Sequence, residues 1–205
     1  AKLQIIEEDK TGDILGTGNK IIDDQVFLKE VELLKSDVLF KKVISRLNLE
    51  SSIYAEGEIL TKDFYRKAPF EIIVYKLKDS SVINKRIDIK LVKDKIQLSI
   101  NNRIIGATKL NEHIDNKYFD LYFREINKNN VPDFLMESSV YFKLNDKNTL
   151  AKELRSYLNV SIIDEKAKTI EISYEYYNPN LCFDIVNEIL NEYLQWERDS
   201  KQNTV

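Results

Sequence analysis

Strict alternation of apolar and polar residues in the middle of the chain is the feature that most constrains its fold. In residues 86–91 every second side chain is apolar, and residues 96–100 resume this period after a charged turn. A period of two places successive side chains on opposite faces of a strand, so that each run buries one face. With three further runs of the same character, the region predicts five or six antiparallel strands. Those runs are residues 70–77, 118–126 and 140–144.

Helical periodicity dominates the two ends of the chain. Apolar side chains recur every three or four positions between residues 21 and 47, and Ser36 interrupts them as an N-cap residue does. Near the other end, strict alternation in residues 169–176 is followed by Asn178 and Pro179. Asn at the N-cap with Pro at the first helical position predicts that a helix begins there.

These periods predict an α+β fold in two parts. Residues 1–64 and 145–205 are expected to form a discontinuous platform, a small mixed sheet with packed helices. Residues 65–144 are expected to form an antiparallel β-module inserted into that platform. A chain of 205 residues is long enough for a core domain with such an insertion.

Charge and cysteine content exclude several classes of function. The chain has 31 Lys and Arg against 34 Asp and Glu, so no basic field is available to hold a nucleic acid. Cys182 is the only cysteine, which excludes an intramolecular disulfide and a cysteine zinc cluster. No apolar run is long enough for a membrane span, and the chain begins at Ala1 without an initiator Met. We therefore expect a fragment of a longer protein.

No residue pattern indicates catalysis, a metal site or a cofactor. His113 is the only histidine, and its neighbours Glu112 and Asp115 do not give the spacing of a metal or acid–base motif. The glycine-rich residues 12–20 lack the Gly-Lys-Ser/Thr ending of a phosphate loop. The sequence therefore predicts a domain that is not an enzyme. A polysaccharide hydrolase, with two carboxylates converging in a cleft, stays open as a lower-ranked alternative.

The aromatic run at residues 118–123 leaves a second alternative open. A period of two directs residues 119, 121 and 123 to the core and places Tyr118 and Tyr122 on the opposite face. Exposed tyrosines on a sheet can stack on sugar rings, although they more often pack against a second sheet. Tyr118 and Tyr122 are therefore candidate glycan contacts. The alternative function is a carbohydrate-binding β-module that recognises exported glycan.

Two segments of the chain resemble the Wzz-type polysaccharide chain-length determinants. Residues 21–49 (IIDDQVFLKEVELLKSDVLFKKVISRLNL) resemble the first helices of that family, where a helix, "ILKS" and a second helix ending in "KLNL" follow one another. Residues 150–194 resemble the later "NP-x-x-A" segment and its helix rich in Ile, Asn and Leu. The matching residues, to which the resemblance gives a structural role, are Asn178, Pro179 and Asn187.

The resemblance extends to the middle of the chain, with departures. Residues 65–142 are similar to the additional β-region of larger members that are fused to a cytoplasmic tyrosine autokinase. Residues 181–183 (Leu-Cys-Phe) stand where the family usually has smaller residues. The long coiled coil, the two transmembrane helices and any kinase domain of the family are not part of this sequence.

The resemblance implies a non-catalytic periplasmic domain of a bacterial inner-membrane protein. Proteins of this family form homo-oligomers and work with a Wzy-type polymerase on the growing polysaccharide. They set the length of exported O-antigen, capsule or exopolysaccharide. A scaffold of this kind needs no bond-making residue, which agrees with the lack of a catalytic motif.

Overall fold

A computed structural model provides the structure of the chain. The residues that it describes are 1–4, 28–57, 61–127, 130–137, 139–164 and 169–202. The fold is mixed α/β with several antiparallel sheets, which confirms the predicted α+β class in its broad form. The chain divides into two compact units: residues 1–47 with 150–205 form unit 1, and residues 48–149 form unit 2.

The described residues form the following helices and strands, each set numbered in chain order. The helices are α1 (residues 28–34), α2 (Asp37–Arg46), α3 (Val131–Glu137), α4 (Lys147–Ser156) and α5 (Pro179–Gln202). The first six strands are β1 (Lys2–Gln4), β2 (Ser51–Glu56), β3 (Thr61–Asp63), β4 (Phe70–Leu77), β5 (Ile87–Val92) and β6 (Lys95–Ile100). The other six are β7 (Arg103–Thr108), β8 (His113–Asp115), β9 (Phe119–Glu125), β10 (Ser139–Leu144), β11 (Leu158–Asp164) and β12 (Thr169–Tyr174).

An antiparallel sheet of order β1-β12-β11 lies in unit 1. Ile170, Ile172 and Tyr174 of β12 are buried on one face, as the alternation predicts. The prediction of a mixed sheet is wrong for the described strands, because all of their pairings are antiparallel. Only four residues separate β11 from β12, whereas a parallel pair needs a crossover of a dozen residues or more.

The two capped helices of unit 1 begin where the sequence predicts. The backbone N–H of Leu39 donates to the side-chain oxygen of Ser36 at 3.2 Å, at the start of α2. The N–H groups of Asn180 and Leu181 donate to the side-chain oxygen of Asn178 at 3.1 and 3.3 Å, at the start of α5. The side chains therefore satisfy donors that have no partner within either helix.

Helices α2 and α5 pack against each other within unit 1. Their buried apolar residues are Leu39, Phe40, Val43 and Ile44 from α2, and Leu181, Ile185, Ile189 and Tyr193 from α5. Glu192 of α5 is 4% exposed. Its carboxylate accepts a hydrogen bond from Arg46 Nε at 3.0 Å and lies 3.4 Å from Lys42 Nζ, so that both cations come from α2.

Two antiparallel sheets share one core in unit 2. The larger has the order β3-β2-β10-β5-β6-β7, and the smaller has the order β4-β9-β8. Alternate apolar residues of both sheets meet in a single cluster, which α3 joins through Val131 and Leu135. The largest fully buried side chains of this cluster are Phe70, Phe119, Phe123 and Phe142. The apolar residues of the alternating pattern that predicted the strands therefore lie between the two sheets.

The boundary between the two parts differs from the sequence prediction. Residues 48–64 were expected in the platform, yet β2 pairs with β10 and β3 pairs with β2 in the larger sheet of unit 2. Residues 145–149 also belong to unit 2. β10, the partner of β2, is distant in sequence, so local periodicity gives no sign of their pairing. Residues 5–27, which follow β1, lie outside the described part of the chain.

Replacing Asn178 with alanine should lower the unfolding free energy of unit 1 by about 1 kcal/mol, because two N–H groups of α5 lose their acceptor. Asn187→Ala is the matched control, since Asn187 is exposed within the same helix and alanine is the better helix former. Urea unfolding followed by the fluorescence of Trp196, the only tryptophan, measures both variants. Equal stability of Asn178→Ala and the parent chain would contradict the cap.

Candidate functional site

Three neighbouring aromatic rings lie on the outer face of the sheet β4-β9-β8. Phe119, Leu121 and Phe123 of β9 are buried, so the side chains that alternate with them face away from the core. The rings on that outer face belong to Tyr75, His113 and Tyr122, and we call them the aromatic platform.

The imidazole of His113 contacts both phenol rings of the aromatic platform. The ring centroids of Tyr75 and His113 are 4.8 Å apart, with an interplanar angle of 41°. Those of His113 and Tyr122 are 5.0 Å apart, with an angle of 57°. His113 and Tyr122 are also direct partners in the β8–β9 register, so the backbone pairing fixes their proximity.

A carboxylate orients the imidazole of the platform. His113 Nδ1 lies 3.1 Å from Asp120 Oδ1, which leaves Nε2 as the ring nitrogen that Asp120 does not engage. The sequence analysis considered Glu112 and Asp115 as the acidic neighbours of this histidine, and it missed Asp120. Because β8 and β9 are consecutive antiparallel strands, their pairing places Asp120 beside His113.

A β-bulge determines where Tyr75 points. Val74 pairs with Leu121 and Lys76 pairs with Asp120, so Tyr75 is an extra residue in β4. The bulge leaves both Tyr75, which is 60% exposed, and Lys76 facing solvent. It also brings Leu77 back to the side of the core. Bulges commonly redirect a side chain in this way at functional surfaces.

Ionic pairs border the aromatic platform. Arg124 of β9 pairs with Glu71 of β4, and Lys78 pairs with Asp115 of β8. With Asp120 and Lys76, this face carries three carboxylates and three basic side chains. The outer face is therefore close to electrically neutral when His113 is uncharged.

The structure separates the two tyrosines that the sequence analysis grouped as candidate glycan contacts. Tyr122 belongs to the aromatic platform, whereas Tyr118 is partly buried against the core of unit 2. The backbone N–H of Tyr118 donates to Asn116 Oδ1 at 2.8 Å, in the turn before β9. Four residues along a strand span about 13 Å, which is too far for both tyrosines to meet one sugar ring. Tyr75 and His113 are instead the aromatic neighbours of Tyr122.

The family-motif residues lie on α5. Asn178 and Pro179 form its N-terminus, and Asn187 is exposed further along the helix. Positions 183, 187, 190 and 194 recur at spacings of four, three and four, on the side of α5 away from its buried residues. Phe183 is 66% exposed, and Leu194 is exposed as well. We call Phe183, Asn187, Leu190 and Leu194 the outer stripe of α5.

A second aromatic group lies in unit 1. The rings of Tyr157 and Tyr176 are 4.8 Å apart, and those of Tyr176 and Tyr177 are 4.2 Å apart. Tyr174 joins this group, with its hydroxyl buried and without a hydrogen-bond partner, and burial raises the pKa of Tyr174. Because Tyr174 is buried and Tyr176 is half-buried, we interpret the group as packing within unit 1.

The described residues contain neither a metal-ligand group nor a helix fit to span a membrane. Across that part of the chain, no group of three or more His, Cys, Asp or Glu side chains is placed to hold a metal ion. None of the helices described combines the length and the apolar character needed to cross a membrane. Cys182 is a half-buried free thiol on α5.

No family model matches the chain, and no curated protein matches it significantly. The interpretation of the aromatic platform and of the outer stripe of α5 therefore depends on their own geometry.

Replacing Tyr174 with phenylalanine should leave the unfolding free energy unchanged or raise it by about 1 kcal/mol, because the hydroxyl that it removes is buried without a partner. Above pH 10 the unfolded chain ionises Tyr174 while the folded chain keeps it protonated, so the parent chain loses stability as the pH rises. Tyr174→Phe should reduce this alkaline loss.

The matched control is Tyr176→Phe, which removes a hydroxyl that donates to Glu153 at 3.4 Å. Urea unfolding at pH 7 and at pH 10.5 measures both variants. A clear loss of stability at pH 7 in Tyr174→Phe would show that this hydroxyl has a partner and would overturn the assignment.

Proposed function

We propose that this chain is the non-catalytic periplasmic domain of a bacterial inner-membrane polysaccharide co-polymerase similar to the Wzz-type determinants. In this proposal the domain forms a homo-oligomer beside a Wzy-type polymerase. The assembly sets the length of exported O-antigen, capsule or exopolysaccharide, and the domain acts on the growing polymer by position and forms no bond itself.

The observation that carries the proposal is that the two segments with the resemblance share one unit. The described part of residues 21–49 contributes α2, and residues 150–194 contribute most of α5. These helices pack together, with Glu192 buried between two cations of α2. A scaffold requires such packing, because segments that are far apart in sequence must keep fixed positions relative to each other.

The outer stripe of α5 supplies a face for a second copy of the chain. Its spacing of four and three is that of a helix seam, with Phe183, Leu190 and Leu194 as apolar positions. Asn187 lies within the stripe, and an amide that both donates and accepts can pair with its own counterpart across a symmetric interface. A single Asn in an apolar seam fixes the register of the helices, which gives Asn187 the structural role that the resemblance implies.

Unit 2 fits the same proposal as the counterpart of the additional β-region in the larger members of the family. Its two sheets have a core of their own. In this interpretation unit 1 assembles, and unit 2 offers a surface to the polymerase or to the polymer.

The substitution Phe183→Asp in the full-length protein tests the proposal. It should abolish cross-linked oligomers and broaden or shift the length distribution of the exported polysaccharide on a gel, because a charge interrupts the seam. Val38→Asp is the matched control, since Val38 is 68% exposed on α2 of the same unit. An unchanged polymer length with Phe183→Asp, at normal protein levels, would count against the proposed function.

A further inference from the structure

The aromatic platform on the outer face of the sheet β4-β9-β8 is a surface that the assembly proposal does not use. We propose that this face binds a glycan chain, with Tyr75, His113 and Tyr122 stacking on successive sugar rings. The inference depends on the sheet face alone and does not require the proposed function.

The ring arrangement matches the shape of a sugar. A pyranose ring has an apolar face of C–H groups and a rim of hydroxyls, and aromatic side chains with a polar tip suit both parts. The centroid separations of 4.8 and 5.0 Å along the platform are close to the length of one pyranose residue in an extended chain. At these spacings the three rings offer contacts to up to three consecutive sugars.

The platform is held in place before any ligand arrives. His113 is fixed by Asp120 on one ring edge and by a tyrosine ring on each side. Tyr122 belongs to a central strand that pairs on both edges, and the bulge in β4 directs Tyr75 outward. Little side-chain entropy is lost on binding when the rings are already ordered, and this favours binding of a weakly interacting ligand such as a glycan.

The polar groups of this face suit hydroxyls better than a strongly charged ligand. Asp120 and the Nε2 atom of His113 lie beside the rings, and the tyrosine hydroxyls add groups that both donate and accept. Three carboxylates and three basic side chains balance each other on the face, so no single sign of charge dominates. Paired charges at the border also order the side chains that surround the rings.

The same face is poor in the side chains that a protein partner would need. A stable protein interface buries roughly 800 Å² on each partner around an apolar centre. Of the strand residues on this face, Tyr75 is highly exposed, whereas Tyr122 and Ile73 are half-buried. The apolar area that they expose is small for the centre of a protein interface.

The direct test is binding of the purified chain to maltohexaose, cellohexaose, N-acetylchitohexaose and an array of bacterial O-antigens and capsular polysaccharides. We expect saturable binding of at least one glycan with a dissociation constant between about 10 μM and 1 mM. In the amide NMR spectrum of the isotope-labelled chain, the chemical-shift changes caused by the glycan should concentrate at β4, β8 and β9. This map requires no substitution, so it stays informative even where a variant is unstable.

Variants then assign the binding to the platform. Tyr75→Ala and Tyr122→Ala should each weaken binding about tenfold, whereas Tyr75→Phe should retain most of it because the ring remains. Tyr177→Ala is the matched control, since Tyr177 of unit 1 is 65% exposed. Circular dichroism and thermal unfolding check that each variant is folded.

Three results would overturn the inference. They are no binding to any glycan of the panel, binding that folded Tyr75→Ala and Tyr122→Ala leave unchanged, and self-association in sedimentation that Tyr75→Ala abolishes. The last result would assign the platform to contact between copies of the chain. Loss of glycan binding would leave the assembly proposal intact, and the outcome for Phe183→Asp would leave the glycan proposal intact.

Discussion

The ion pairs between the buried carboxylate of Glu192 and two cations of α2 are the interaction on which unit 1 depends. A carboxylate that is 4% exposed is costly unless cations compensate it, and here both cations come from α2. Arg46 and Glu192 are 146 residues apart in sequence, so the pair forms only when the two ends of the chain come together. The surrounding apolar residues of α2 and α5 and the pairing of β1 with β12 impose the same requirement. Unit 1 is therefore a product of non-local contacts.

Unit 2 combines local pairings with distant ones, since β2 pairs with β10 and β4 pairs with β9. Strands β5, β6 and β7 follow one another in sequence and pair in that order, as do β8 and β9. With the core between two sheets, the outer face of β4-β9-β8 needs no apolar residues for stability. The core therefore does not require the rings of the aromatic platform on this face.

The sequence predicts those parts of the fold that depend on a local pattern, such as alternation or a helix cap. Alternation around residues 86–100 and the Asn178-Pro179 cap gave strands and a helix start that the structure contains. The pairing of β2 with β10 and the contact of His113 with Asp120 were missed, because they arise from register between strands. Tyr75 was missed because a bulge interrupts the period of two. The sequence singled out its neighbour Tyr122 together with Tyr118, which lies outside the aromatic platform.

The coupling free energy between Arg46 and Glu192 tests the central claim most directly. A double-mutant cycle of Arg46→Ala and Glu192→Ala, with urea unfolding followed at Trp196, isolates this pair from other effects of the substitutions. The account predicts a coupling of about 1 kcal/mol or more, because Arg46→Ala leaves the buried Glu192 with Lys42 alone across α2 and α5. Effects that add within about 0.3 kcal/mol would contradict it, and the two ends of the chain would then not depend on this contact.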